Sequence, residues 1–151
     1  MRVARETGKL RTVNALTVDV EDYFQVSALA PHIPRSQWSD ISCRVEMNIE
    51  RILAMLEQNG VNATFFTLGW VAVRYPGLVR RIVAGGHEIA SHGYAHLRAS
   101  VQSPDAFLAD NQLSKLVLED LVGTEVKGYR APSFSIGPSN PWALDCIEEA
   151  G

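Results

Sequence analysis

Cysteine is scarce in this chain: Cys43 and Cys146 are its two thiols, far apart in 151 residues and without C-x-x-C spacing. That scarcity excludes a disulfide-stapled miniprotein and a cysteine-built zinc module, so both thiols read as structural. Long apolar runs are also missing, and none approaches the roughly 18 residues that a membrane-spanning helix needs. A net charge of −3 leaves no basic surface for nucleic acid and no pull toward an anionic membrane. No G-x-G-x-x-G stretch occurs, which removes the dinucleotide-binding fingerprint. Internal repeats and low-complexity tracts are absent. Residues 1–12 carry Arg2, Arg5, Lys9 and Arg11 with no apolar stretch behind them, unlike a secretory signal. Residues 1–13 therefore read as a flexible lead, and a cytoplasmic location is expected.

What the chain does have is one domain's worth of ordinary globular composition, 46% hydrophobic. Apolar and β-branched runs predict strands at 14–20, 63–68, 87–91 and 126–130. Helical spacing predicts helices at 43–58, 75–84, 103–122 and 142–150. Asn59-Gly60 and Gly85-Gly86 act as stops, while Ser103-Pro104 forms an N-cap followed by proline at the first helical position. Residues 23–40, with Pro31 and Pro34, read as a long irregular loop. Strand and helix alternate throughout, which predicts parallel strands with helical crossovers in an α/β layer or barrel.

In such folds functional residues gather at the carboxyl ends of the strands. His92 and His96, four residues apart and just past a predicted strand, suit one ion if a helical turn carries them. The acids Asp19, Glu21 and Asp22 close an earlier strand and offer a carboxylate ligand. Two neutral nitrogens, one carboxylate and an open position describe a hydrolytic metal centre. Arg130 lies at the end of the fourth predicted strand, on the same rim.

The segments Ala63-Thr64-Phe65-Phe66, Gly86-His87-Glu88-Ile89-Ala90-Ser91-His92-Gly93-Tyr94-Ala95-His96 and Tyr129-Arg130-Ala131-Pro132 resemble the polysaccharide deacetylases of carbohydrate esterase family 4, the NodB-homology domain. The opening Leu16-Thr17-Val18-Asp19-Val20-Glu21-Asp22-Tyr23-Phe24 is similar to the branch associated with bacterial exopolysaccharide clusters, itself close to peptidoglycan-deacetylase-like and allantoinase-like members. The resemblance implies an irregular (β/α) barrel of about seven strands. Fewer are counted here, and the family's later motifs find no match after Arg130. The chain is thus expected to be truncated at its C-terminal end, with 14–151 the N-terminal part of the catalytic domain and the general acid beyond residue 151.

The same resemblance implies roles. His92 and His96 are metal ligands, and Arg130 pairs with the base carboxylate. Among the acids, either Asp19 is the base and Glu21 the ligand, or Glu21 is the base and Asp22 the ligand. The first is preferred, because strand alternation aims Asp19 and Glu21 the same way. Tyr94, Tyr129 and Pro132 are expected at the substrate, with Phe134 as a further ring that could stack on a sugar. The implied cofactor is a divalent metal, zinc first, with cobalt or another ion as alternatives. The implied activity is metal-dependent hydrolysis of N-acetyl groups on the amino sugars of a bacterial polysaccharide. The alternatives are a cyclic-amide C–N hydrolase on the same fold, or a non-catalytic carbohydrate-binding barrel.

Overall fold

The structure is a computed structural model that describes residues 14–151, so the expected lead at 1–13 lies outside the described residues. Strands β1 (Thr17–Val20), β2 (Thr64–Thr67) and β3 (Glu88–Ser91) form a parallel sheet in the order β1-β2-β3. The register sets Asp19 beside Phe66 and Phe66 beside Ala90. Helices α1 (Val45–Asn59), α2 (Gly69–Arg74), α3 (Pro76–Ala84), α4 (Pro104–Val122) and α5 (Trp142–Ala150) complete the architecture.

Local chemistry sets most of these bounds. Gly60 closes α1 in the left-handed conformation, at φ 60°. Ser103 Oγ accepts from the Ala106 N–H to open α4, and Pro104 occupies its first position. Alternation along the strands puts Val20, Phe65 and Ile89 on one face, where they join Ile49 and Leu56 of α1, Leu78 and Ile82 of α3, and Leu118 of α4. Each such buried side chain contributes about 1.5–3 kcal/mol, so this helix-covered face anchors the sheet. A second apolar cluster joins Phe107 of α4 to Ala143 and Cys146 of α5. Both cysteines are free thiols, as expected. Among the described residues no helix is long and apolar enough to cross a membrane.

The seven-stranded barrel is not what the structure contains. Among the described residues the sheet has three strands of four residues each and does not close on itself. The predicted fourth strand at 126–130 reaches β3 through one bridge, Ser91 to Tyr129. Ser91 N donates to Gly128 O at 2.8 Å and Arg130 N to Ser91 O at 2.9 Å, and the ladder stops there. Pro132 brings no N–H, and Ser133 and Phe134 turn left-handed at φ 55° and 52°, so pairing has no way to continue.

The sequence reading also missed α2. Gly69–Arg74 forms one short helix, broken at Tyr75 (φ −128°, ψ 59°) before Pro76 starts α3. Gly69 is required there by close approach, since a Cβ would sit 2.5 Å from the Tyr94 ring.

Candidate metal centre

β1 ends at Val20, and the next two residues diverge. Glu21 faces the histidines, while Asp22 turns inward and is 4% exposed. The Asp22 carboxylate accepts from three backbone N–H groups: Tyr23 at 2.8 Å, Arg44 at 2.5 Å and Val45 at 2.9 Å. Arg44 and Val45 open α1, so Asp22 satisfies donors that the helix start cannot satisfy itself. Asp22, the alternative carboxylate ligand, is thus not one of the converging atoms, and its oxygens accept from the backbone. Asp22→Ala is expected to destabilise the fold by about 2–4 kcal/mol, because buried donors left unpaired cost roughly 1–3 kcal/mol each. Denaturant midpoints would show this, and an unchanged midpoint would refute it.

Glu21, His92 and His96 each offer one ligand atom, and the three atoms lie within 4.8 Å of one another. A tetrahedral ion with bonds of about 2.0–2.2 Å sets its ligand atoms about 3.4 Å apart, so small side-chain shifts would close the group. The histidines do not ride a helical turn, contrary to the spacing argument. They flank a bend with Gly93 at φ 74° and His96 at φ 52°, and their ring centroids stand 5.1 Å apart. Histidine is among the residues that enter this left-handed region more readily.

His92 Nδ1 lies 2.8 Å from the carbonyl oxygen of Arg130. A carbonyl only accepts, so Nδ1 carries the proton and Nε2 keeps its lone pair for an ion. Burial holds the His92 imidazole below its ordinary value, against the opposing pull of the Arg130 carbonyl and nearby carboxylates, and so favours the neutral, ligating form. For Glu21 burial is the largest influence and raises it. Contact with His96 and the charges of His96 and His92 together outweigh burial and carry the carboxyl below the usual range.

His96 Nε2 stands 2.9 Å from Glu21 Oε2, yet that buried oxygen has no aligned hydrogen bond among the described residues. A carboxylate oxygen and an imidazole nitrogen brought this close beside a second imidazole is an arrangement that a cation would satisfy. The residues present fit a divalent metal.

Asp19 stands apart from the three ligands. Its carboxylate accepts from Arg130 Nη1 at 2.5 Å. Arg130 Nη2 also donates to Thr17 Oγ1 at 2.8 Å, and the guanidinium lies 4.0 Å from the centroid of Phe66. Asp19, Glu21, His92, His96, Arg130 and Phe134 line one open cleft of about 180 Å³. Tyr94, Tyr129 and Pro132 do not line it. Tyr129 packs edge-on against Phe107, Pro132 is buried, and Tyr94 lies against Gly69. Phe134 is 96% exposed at the rim, presented by the left-handed turn it shares with Ser133. His87 is structural: its Nδ1 accepts from Ala63 N at 3.3 Å.

Comparison with known proteins agrees with this geometry. A stretch of 84 residues is 38% identical to the peptidoglycan-N-acetylglucosamine deacetylase of Bacillus cereus, covering 54% of this chain and 30% of that protein. The crystal structure of the Bc1960 peptidoglycan N-acetylglucosamine deacetylase matches with a TM-score of 0.66 at 25% identity, over 90% of this chain and 52% of the other. A CE4-family pseudoenzyme of Bacillus anthracis, BA3943, shares the fold at 21% identity with a TM-score of 0.69, over 89% of this chain and 39% of its own. The chain thus spans about a third to a half of the length of these relatives. A pseudoenzyme among them means that the fold by itself carries no activity, and the weight falls on the side chains in the cleft. Residues 38–143 match the family described as polysaccharide deacetylase, and the chain belongs to that family.

Proposed function

We propose that this chain carries the metal-binding part of a deacetylase that hydrolyses N-acetyl groups on the amino sugars of a bacterial polysaccharide. The observation that carries the reading is the convergence of Glu21, His92 and His96 in one cleft with an Arg130-held carboxylate, Asp19. A divalent ion held by the three ligands, zinc by preference and cobalt as an alternative, supplies Lewis-acid polarisation of an amide carbonyl and lowers the pKa of a water.

The chain's own residues do the rest. Asp19 is the general base that accepts the proton of the attacking water. Arg130 fixes the base through its side chain and His92 through its main chain, so one residue sets two groups of the site. Thr17 and the Phe66 face hold that guanidinium in turn. Phe134 offers an apolar ring to the face of a pyranose at the cleft mouth.

The test is acetate release from N-acetylglucosamine oligomers and peptidoglycan fragments. Release by a zinc-loaded protein that joins these residues to a general acid, abolished by a chelator and restored by added zinc, is the expected result. Such a protein that binds zinc yet releases no acetate from any of them would sink the reading.

A further inference from the structure

The loop between the two histidines is gripped from four directions, and two of the grips come from charged side chains that the chemistry above does not use. Gly93 O accepts from Gly69 N and Tyr94 O from Trp70 N, both at 3.0 Å, so the first amides of α2 hold two loop carbonyls. Gly93 N donates to Ser91 Oγ at 3.2 Å. On α4, Asp110 Oδ2 accepts from Tyr94 N at 2.8 Å. From the loop before α1, Arg35 Nη2 donates to Ala95 O at 2.6 Å.

We infer that Arg35 and Asp110 are positioning residues for the metal centre, an oppositely charged pair that grips successive peptide groups and holds His96 in its left-handed conformation. His96 adopts φ 52°, a conformation costly for a residue with a Cβ, and such strain persists when the surroundings over-determine it. The two grips fall on residues 94 and 95, immediately before that strained residue. Once they are released, His96 can relax to an ordinary backbone conformation, and its imidazole leaves Glu21.

Several observations support the pair as a unit. Burial raises the Asp110 carboxyl above its ordinary value, while the loop amides and the charge of Arg35 favour its ionised form. Arg35 is itself steadied by its guanidinium lying 5.3 Å from the Trp38 ring centroid. The approach on the other side is tight. A Cβ at Gly93 would lie 2.9 Å from Asp110 Oδ2, so glycine at 93 lets the α4 carboxylate reach the loop.

This inference rests on the metal-site reading, and the test separates the two. Zinc affinity is measured by chelator competition on the wild type, Asp110→Ala, Asp110→Asn and Arg35→Met, and the cobalt-loaded visible spectrum is recorded for each. Removing an outer partner of a metal ligand weakens binding by about 10–100-fold, and Asp110→Ala is expected to fall in that range with an altered cobalt spectrum. Asp110→Asn keeps an oxygen for the Tyr94 N–H and is expected to recover most of the affinity, which a general loss of stability would not explain. Arg35→Met, on an exposed segment, is expected to weaken zinc about tenfold and keeps the inference falsifiable if Asp110→Ala does not fold. Wild-type zinc affinity in Asp110→Ala, or in Arg35→Met where Asp110→Ala does not fold, overturns the inference. A wild type that binds no zinc overturns the metal-site reading itself.

Discussion

Zinc titration of His96→Asn is expected to show affinity reduced by more than about 100-fold, beyond the range seen for loss of an outer partner. Asparagine is the informative replacement because residue 96 sits at φ 52°, where asparagine is tolerated as well as histidine. Backbone strain thus stays constant while the ligating nitrogen is removed. Alanine would confuse the two effects, since its Cβ resists that conformation without the local hydrogen bonding asparagine offers. His92 is a poorer first target, because its removal also orphans the Arg130 carbonyl and perturbs the residue that holds Asp19. Unchanged zinc binding in a folded His96→Asn protein would dismiss the three-ligand centre.

Asp19→Asn is expected to lower kcat for acetate release by about 10²–10⁴-fold, the range typical for loss of a general base. Zinc affinity is expected to stay within a few-fold of wild type, because Asp19 is not one of the three converging ligands. The amide keeps the shape and can still accept from Arg130, yet it cannot take a proton from water. The diagnostic result is therefore a split: turnover lost, metal retained. Loss of both together would move Asp19 into the ligand set, and retention of both would remove it from the mechanism.

Much of this site was legible in the sequence because its pieces are local. An apolar run closing on acids placed Asp19 and Glu21 at a strand end. Ser103-Pro104 and Asn59-Gly60 marked helix ends by cap chemistry that needs no distant partner. What escaped depended on partners remote in sequence. The commitment of Asp22 is decided by amides 22 and 23 positions away, at Arg44 and Val45, so local sequence could favour Glu21 by strand alternation but could not take Asp22 out of contention. The histidine pair kept its spacing but lost its helix, because Gly93 and the amides of α2 bend the loop. The barrel was inferred from resemblance, and the bond pattern at Ser91 and Tyr129, with proline three residues on, limits the sheet to three strands among the described residues. Of the rings expected at substrate, Phe134 lines the cleft while Tyr94 and Tyr129 do not. Tyr129 is half-buried against Phe107, a contact that no local pattern announces.

The divergence of residues 21 and 22 has a consequence for how this site can be altered. Because neighbouring side chains on an extended backbone point to opposite sides, one peptide unit separates the ion-facing carboxylate from the one that organises the start of α1. Metal preference and foldability are thereby written in different letters. Position 21 is open to redesign with softer or harder donors, while position 22 must keep an acceptor whatever ion the cleft is asked to hold.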